Sequence, residues 1–309
     1  MFNIVEKRQW YFLFSALIII PGIVAMVYST VNYGSPVRLG IDFTGGTLME
    51  LHFDQTVQPA DVRRVLAEQG FPGSTVQTTA DEQTILIRAK PMTPEEKGDV
   101  MAALEDEFGA MEELRFESVG PAIGAEVTRA ATWAVLTAAF LIIAYIVLAF
   151  RKVPNAFRYG VCAVIAMIHD LLVAVGLFSI ACLALGWEAD ALFLTAILTV
   201  VGFSVQDTIV VFDRIRENIP KRRGEPYETI VNRSLLETIH RSLATQLNAI
   251  FVLIALLLFG GATMKQFVAV LLVGLLSGTY SSIFNAVPLL VVWETKKLSG
   301  SPKPKEAAA

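Results

Sequence analysis

The chain has 309 residues, of which 54% are hydrophobic and 17% are charged, and its formal net charge is −4. Its mean hydropathy of +0.56 exceeds that of soluble proteins, so the composition excludes a single large soluble core. With two cysteines and three histidines, the sequence has no pattern typical of a disulfide framework or a metal site. We therefore expect an integral membrane protein that holds no metal and no cofactor.

Six apolar stretches are long enough to span a bilayer as helices. They cover about residues 11–31, 128–150, 158–185, 190–213, 239–259 and 266–293. The first stretch follows Lys7 and Arg8, but it is longer than the apolar run of a signal peptide and no clear cleavage pattern follows it. The sequence therefore predicts an uncleaved anchor followed by five further spans.

Basic residues predict the orientation, because the cytoplasmic loops of membrane proteins are enriched in Lys and Arg. They cluster at residues 7–8, 151–158, 214–223 and 296–305, whereas the short loops 186–190 and 260–265 hold only Lys265. Both termini are then cytoplasmic and segment 32–124 lies outside. That segment has 7 Lys and Arg against 16 Asp and Glu, a net charge of −9, which favours the exterior face of a bacterial inner membrane.

We divide the chain into four parts on this basis. Residues 1–31 form the cytoplasmic start and the first span, 32–124 an extracytoplasmic domain, and 125–298 the spans two to six. Residues 299–309 are polar and contain prolines, which predicts a disordered cytoplasmic tail. Within the third part, apolar residues at helical spacing over 226–237 predict a short separate helix on the cytoplasmic interface.

The extracytoplasmic segment has its own alternation of strands and helices. The patterns predict strands at 47–53, 75–78, 84–89 and 113–119, and helices at 59–69 and 94–108. Thr93-Pro94-Glu95-Glu96 combines an N-cap, a proline at the first helical position and a capping-box glutamate. The order β-α-β-β-α-β predicts a small α+β ferredoxin-like domain.

The fourth span carries Asp207, and a carboxylate inside a membrane costs at least about 2.5 kcal/mol. At 1.5 Å per residue, Asp207 lies roughly 25 Å along this span, in its cytoplasmic third. Arg241, at the start of the fifth span, falls at the same depth. We expect the two side chains to pair and Asp207 to load and release a proton. The alternatives are a static buried ion pair and an Arg241 that extends to the lipid headgroups.

Four further polar residues are candidates for the relay or its support: His169, Asp170, Gln206 and Asp213. His169 and Asp170 lie near the middle of the third span, and His169 could titrate near neutral pH or simply form a packing hydrogen bond. Asp213 lies at the cytoplasmic boundary, where solvated charges are the default. In the sixth span Gly274, Gly278 and Ser282 form a small face, flanked by Ser277, Ser281 and Asn285, for which we predict only close helix packing.

Three motifs together resemble the SecF family of the bacterial Sec protein-export machinery. They are Gly-Ile-Asp-Phe-Thr-Gly-Gly-Thr at 40–47, His169-Asp170, and Val-Gly-Phe-Ser-Val-Gln-Asp-Thr-Ile-Val-Val-Phe-Asp-Arg-Ile-Arg-Glu-Asn at 201–218. The resemblance covers nearly the whole chain. It implies half of an RND-type membrane domain, completed by SecD, that works with the SecYEG channel and has YajC and YidC as candidate partners.

The resemblance also implies a mechanism and assigns two residues to it. In that family the proton-motive force moves the exterior domains, which pull an unfolded preprotein outward after ATP-driven insertion by SecA. The essential Asp and Arg of the family fall on Asp207 and Arg241. We expect protonation of Asp207 from outside to release Arg241, and deprotonation to the cytoplasm to re-form the pair. The sequence departs from the family at two places: Gln206 stands where the family usually has Asn, and the run after Arg241, usually rich in Thr and Ser, reads Ser-Leu-Ala-Thr-Gln-Leu-Asn at 242–248. With fewer hydroxyls to hold water there, the resemblance assigns the relay to Asp207 and Arg241 and not to the residues beyond them.

Rival interpretations remain open at this point. One is an RND-like exporter of a small amphiphile, and another is a translocon scaffold that transports no ion. Coupling to Na⁺ instead of H⁺ is a variant of the main prediction. No nucleotide-binding, nucleophile or metal motif occurs, so we expect neither an enzyme nor a nucleic-acid partner.

Overall fold

The computed structural model describes residues 3–79, 82–151, 155–222 and 224–296. The predicted tail at 299–309 lies outside the described residues. The chain divides into two compact units, a helical unit formed by residues up to Arg38 and from Trp133 onward, and an α/β unit over Leu39–Thr132. The described chain begins with a 3₁₀ turn at Val5–Lys7 and helix α1 (Arg8–Tyr33), both in the helical unit.

The α/β unit contains a four-stranded antiparallel sheet with two longer helices. Its strand order is β2-β3-β1-β4, and each neighbouring pair is antiparallel. The elements are α2 (Ile41–Thr44), β1 (Gly46–Phe53), α3 (Pro59–Glu68), β2 (Thr75–Thr78), β3 (Thr84–Ala89), α4 (Pro94–Phe108) and β4 (Met111–Val119). The strands and helices predicted from the sequence occur at these positions, within two residues at each end.

Side chains on one face of the sheet form the core of this unit. Met49, Leu51 and Phe53 alternate along β1 and are fully buried, because successive strand residues point to opposite faces. Leu66 of α3 and Leu104 of α4 fill the same core. The sheet therefore holds both helices against a single face.

The predicted capping box starts α4. The Thr93 hydroxyl accepts a bond from the Glu96 backbone N–H at 3.3 Å, and the Thr93 backbone N–H donates to Glu96 Oε2 at 2.8 Å. That backbone bond holds the pKa of Glu96 below its ordinary value. Two of the orphan N–H groups at the helix start are thus satisfied by local side chains.

The paired glycines at 45 and 46 are required by the backbone where α2 turns into β1. Gly45 has φ +72° and Gly46 has φ +131°, both in the region that side chains disfavour. A Cβ on Gly45 would also lie 2.8 Å from the Cα of Pro121, and one on Gly124 would lie 2.7 Å from the Phe43 carbonyl oxygen. The two glycines and Gly124 thus allow the helix that begins at Pro121 to pack against this turn.

Truncation of Leu104 tests this core. Because the side chain is fully buried, Leu104→Ala is expected to lower the free energy of unfolding of the α/β unit by about 2–5 kcal/mol. Hydrogen exchange of the β1 and β3 amides in the full-length protein measures the loss. Asp106→Ala, an exposed position on the same helix, is the control. Equal amide protection in both variants would contradict the assigned core.

The helical unit has six helical segments that are long and apolar enough to cross a membrane, within the described residues. After α1 they are α5 (Pro121–Ala149), α6 (Ala156–Leu185), α7 (Ala191–Lys221), α8 (Tyr227–Phe259) and α9 (Ala262–Ser281), which continues through a π-helical turn (Ser282–Ala286) into α10 (Val287–Thr295). In their most apolar 18 residues, α6 and α7 are 50% buried, whereas α5 and α8 are 6% and 11% buried. The faces of α5 and α8 are therefore open to lipid or a partner.

The short interface helix predicted over 226–237 does not form as a separate element. It is the first part of the continuous helix α8, and its apolar residues are buried in the protein rather than laid on the membrane surface. The Asn232 side chain accepts bonds from the backbone N–H groups of Ile4 and Val5, and Glu228 pairs with the fully buried Arg8 at 3.2 Å. The N-terminal turn therefore packs against the surface that the sequence pattern had assigned to lipid.

Candidate functional site

Asp207 lies within α7 and is buried, with 4% of its surface exposed. Its Oδ2 accepts a hydrogen bond of 2.6 Å from Nε2 of Gln246 on α8, which is equally buried. Ser242, one turn before Gln246 on the same face of α8, is buried as well. The carboxylate thus faces the α7–α8 boundary and meets an amide there.

Arg241 does not pair with Asp207 in the part of the chain that the structure describes. Residues 241 and 246 are about 140° apart around the helix, so Arg241 leaves the face that meets Asp207. Its side chain is exposed and lines a cavity of about 700 Å³ between α5, α7 and α8. The two residues share the α7–α8 boundary, as expected, but the predicted ion pair is replaced by the bond from Gln246.

The cavity beside Arg241 is polar and its other charges are paired with one another. Arg214 bonds Glu237 at 2.6 Å and Glu217 at 2.9 Å, while Arg216 bonds Asp213 at 2.5 Å. These side chains line the cavity together with Arg241. Asp213 therefore takes part in a partly exposed ion pair and not in the environment of Asp207.

Gln206 is on the exposed side of α7, whereas its neighbour Asp207 is buried. Consecutive helix residues point about 100° apart, so the two side chains do not share a face. The structure thus does not bring Gln206 to the carboxylate. Gln246 of α8 occupies that position instead.

The second buried carboxylate, Asp170 of α6, is fully enclosed. Its Oδ2 accepts bonds from Ser204 Oγ at 2.5 Å and from Ser281 Oγ at 2.7 Å, and its Oδ1 accepts one from Ser277 Oγ at 2.7 Å. Nδ1 of His169 lies 3.0 Å from the same Oδ1. Three helices, α6, α7 and α9, thus meet at one carboxylate.

The serines around Asp170 correct the prediction that the small face of α9 serves only close packing. Ser277 and Ser281 are one turn apart, so both hydroxyls reach the same carboxylate. The packing is close as well, because a Cβ on Gly278 would lie 3.3 Å from the Cα of Ser204. The sequence signal for this cluster was two serines four residues apart, next to a glycine. That signal indicates that both hydroxyls lie on one face of the helix, but it does not reveal that their hydrogen-bond acceptor is Asp170 of α6.

Two carboxylates on neighbouring helices thus have different environments. Asp207 has two neutral neighbours, the Gln246 amide that bonds it and the Ser242 hydroxyl, whereas Asp170 is enclosed by three serine hydroxyls and the His169 ring. A carboxylate in the first kind of site can gain or lose a proton with little rearrangement, because few bonds fix its ionised form. The arrangement suits proton transfer, and the described residues contain no cluster of metal-ligating side chains.

Comparison with known families places most of the chain. Residues 99–296 match the family described as protein export membrane protein SecD/SecF, C-terminal, and residues 33–57 match the SecD/SecF GG motif. The second match contains the paired glycines of the α2–β1 turn. Together the two matches include the last residue of α1, strand β1 and all helices from α5 onward.

Individual relatives agree with this assignment. The protein translocase subunit SecF of Thermobaculum terrenum is 49% identical over 307 residues, covering 96% of this chain and 95% of that protein. The corresponding subunit of Anaerolinea thermophila is 47% identical over 299 residues, with the same coverage. The protein translocase subunit SecDF of Thermus thermophilus is 36% identical over 281 residues, 89% of this chain and 37% of that longer protein.

The fold is similar to that of solved SecDF structures. The crystal structure of SecDF from Thermus thermophilus, described as a translocon-associated membrane protein, aligns with a TM-score of 0.79 and 34% identity. The alignment covers 96% of this chain and 39% of the SecDF chain. The family, the six apolar helices and the relatives identify a multi-pass membrane protein. The chain therefore belongs to the SecD/SecF family of protein-export membrane proteins, and its full-length relatives are SecF subunits.

Proposed function

We propose that the chain is a proton-motive-force-coupled accessory subunit of the Sec translocase. With SecD, it promotes the late stage of preprotein export across the cytoplasmic membrane. The observation that carries this proposal is the buried Asp207 carboxylate, bonded to the Gln246 amide at the α7–α8 boundary. Helices α7 and α8 also border the polar cavity that Arg241 lines. A buried ionisable residue of this kind within a membrane span is characteristic of proton pathways.

The Gln246 side chain can serve both protonation states of Asp207. A glutamine amide has two N–H donors and one carbonyl acceptor. In the bond seen here the N–H group donates to Asp207 Oδ2, which can accept it in either protonation state, and the amide carbonyl can accept from a protonated carboxyl group after rotation of the amide. Protonation thus reverses a hydrogen bond between α7 and α8 without leaving a buried group unsatisfied, which supports a reversible step.

Arg241 completes the cycle in this proposal. The structure corresponds to the state in which Asp207 bonds Gln246, and the exposed Arg241 lies in the cavity. Movement of α8 against α7 brings Arg241 to the ionised Asp207, and protonation releases it. One charge moved across the membrane supplies about 2.3 kcal/mol per 100 mV, so a large movement of the α/β unit uses several protons.

The partners and the location follow from the same proposal. SecD covers the open faces of α5 and α8 and completes an RND-type domain, as the fused SecDF relative suggests. SecYEG supplies the channel, an unfolded preprotein is the substrate, and YajC and YidC are further partners. The protein lies in the inner membrane with both termini cytoplasmic, and the α/β unit forms the ferredoxin-like extracytoplasmic domain.

Preprotein export in inverted membrane vesicles tests this function. Vesicles with SecD and SecYEG, with or without the chain, receive ATP and SecA until insertion has started, and ATP is then removed. The proposal predicts that completion of export depends on the proton-motive force only where the chain is present. Force-dependent completion in vesicles that lack the chain would assign the coupling to another component.

Loss of the Gln246 amide is expected to impair this coupling. A hydrogen bond to a charged group is worth about 1.5–3 kcal/mol, so Gln246→Leu should slow the force-driven stage about tenfold or more. Gln206→Leu makes the same change on the exposed side of α7 and should retain the wild-type rate. Initial rates of preprotein completion at a fixed force provide the measurement. Equal rates for the two variants would remove Gln246 from the mechanism.

A further inference from the structure

The cluster around Asp170 is separate from the pair formed by Asp207 and Gln246. Asp207 meets α8, whereas Asp170 is bonded from α7 and α9 and lies beside α1 through His169. It is fully buried, and the proposed cycle at Asp207 does not use it. A buried ionisable group with so many donors requires its own explanation.

The hydrogen bonds define which form of Asp170 the cluster stabilises. An ionised carboxylate has about four acceptor sites on its two oxygens. Three serine hydroxyls and the His169 ring lie within hydrogen-bond distance of them in this structure, an arrangement that suits an ionised carboxylate. A negative charge enclosed in this way is costly unless a positive charge balances it.

His169 is the neighbour that can supply the balancing charge. Its Nδ1 is 3.0 Å from Asp170 Oδ1, whereas its Nε2 is buried and has no hydrogen-bond partner among the described residues. The ring lines two cavities, of about 450 and 270 Å³, on either side of α1. The first is also lined by Ser15 and Asn285. Because Nδ1 faces Asp170, the unpartnered Nε2 is the ring nitrogen that is left to take up a proton.

No other cation competes for this position in the described helices that pack against this part of α6. Arg8, Arg158 and Lys265 lie at the ends of their helices, and Arg158 pairs with Glu294 of α10 at 2.8 Å. Tyr280 of α9 stacks on the His169 ring at 6.1 Å, and its hydroxyl donates to the Tyr11 carbonyl of α1. Apart from His169, the titratable groups that the described contacts place near the cluster are Tyr280, which stacks on the ring, and Tyr11, whose carbonyl bonds the Tyr280 hydroxyl. Asp207 lies about one turn beyond Ser204 on α7.

We propose that His169 and Asp170 form a second proton-binding site, which takes up one proton at the His169 ring and holds it against the Asp170 carboxylate. The uptake converts a cluster with one net negative charge into a neutral imidazolium–carboxylate pair. It involves no other reactant, since the proton comes from the aqueous phase. The assignment of this site stands independently of the proposed export function, and only its consequence for α7 rests on that function.

Ser204 connects the second site to the first. Its hydroxyl donates to Asp170, and Asp207 follows three residues later on α7. On the other side, Ser277 and Ser281 tie the cluster to α9 immediately before the π-helical turn at Ser282–Ala286. Such turns interrupt the regular helix and are frequent at functional sites. A proton on His169, held against the Asp170 carboxylate, therefore alters the strength of the bonds that hold α7 and α9 in register.

Nitrogen-15 NMR of histidine-labelled protein tests the proposal directly. The chain has three histidines, and His52→Gln and His240→Gln variants of the full-length protein in lipid vesicles assign the His169 signals. The proposal predicts that both ring nitrogens of His169 become protonated within about pH 5–8. A carboxyl-carbon label on aspartate follows Asp170 in the same samples and should show it ionised throughout.

Two results would overturn the proposal. One is a His169 ring that keeps one unprotonated nitrogen across this pH range, and the other is an Asp170 that titrates while His169 does not. Gly278→Ala keeps every titratable group but places a methyl group 3.3 Å from the Ser204 Cα, a tight contact that displaces the Ser204 hydroxyl relative to Asp170. It should therefore move the His169 midpoint, whereas Gly202→Ala, where a Cβ meets nothing within 4 Å, should not.

The two proposals can fail separately. In an Asp207→Asn background the His169 signals should titrate as in the wild type, to within about half a pH unit, because the site does not need that carboxylate. If force-driven export is unaffected by Asp207→Asn while His169 still titrates, the export mechanism fails and the second site stands. If export depends on Asp207 but His169 never gains a proton, only the second site fails.

Discussion

Asp207→Asn is expected to abolish the stage of preprotein export that the proton-motive force drives, with ATP-driven initiation by SecA unchanged. Asparagine has nearly the shape of aspartic acid and can still bond the Gln246 amide, so the α7–α8 packing should persist. It cannot gain or lose a proton. The variant therefore removes the ionisable group but keeps the hydrogen bond to Gln246, whereas a truncation such as Asp207→Ala would remove both.

The matched control for this variant is Asp213→Asn. It makes the same chemical change six residues later on α7, in a partly exposed ion pair with Arg216. Exposed pairs contribute about 0–1 kcal/mol, so Asp213→Asn should keep force-driven export near the wild-type rate. The assay follows completion of a preprotein in vesicles that contain SecD, after initiation, with and without the force. Unchanged force dependence in the Asp207→Asn vesicles would show that the carboxylate is structural.

Much of the fold could be predicted from the sequence because the strongest patterns are local. The six spans are set by uninterrupted apolar length, and α4 begins where Thr93 and Glu96 close a capping box. Hydrophobic alternation marked β1, whose Met49, Leu51 and Phe53 are buried in turn. Each of these features depends on neighbours within a few residues along the chain, so one sequence is enough to indicate it.

The contacts between helices were less predictable, because they depend on rotation about each helix axis. Depth along a span comes from counting residues, and it places Asp207 and Arg241 at the same level. The angle around α8 decides which side chain meets α7, and there the structure selects Gln246 rather than Arg241. The cage of serines around Asp170 has the same origin, since its donors come from two other helices.

The start of α8 shows a third limit of sequence patterns. An amphipathic helix has one apolar face whether it covers lipid or protein, so residues 227–237 carried no information on which of the two they meet. This face meets protein because the backbone N–H groups of the N-terminal turn bond Asn232 and because the buried Arg8 pairs with Glu228. These partners lie more than 200 residues away in the sequence.

Replacing Asp207 and Arg241 together by leucine should leave force-driven export as inactive as replacing either one alone. A static buried ion pair behaves differently, since exchanging both partners for apolar residues is often neutral or stabilising. The structure argues against a static pair, because Asp207 bonds Gln246 while Arg241 lies in the cavity. If the two residues act in one proton cycle, either single replacement already stops that cycle. The second replacement then causes no further loss of export, so the effects of the two single replacements do not add.

The matched control is the double replacement of Asp213 and Arg216 by leucine, because these residues form an observed ion pair at 2.5 Å on the same helix. That variant should retain force-driven export, within about threefold of the wild type, as expected for a partly exposed pair. Export is again measured after SecA-driven initiation, at equal amounts of folded protein in the vesicles. Recovery of force dependence in the Asp207→Leu/Arg241→Leu variant would favour the scaffold interpretation, since the charges would then serve only to satisfy each other. If force-driven export is lost in the Asp207→Leu/Arg241→Leu variant and retained in the Asp213→Leu/Arg216→Leu control, the coupling belongs to Asp207 and Arg241. Both variants remove one acidic and one basic side chain, so the loss of two charges alone does not explain the difference.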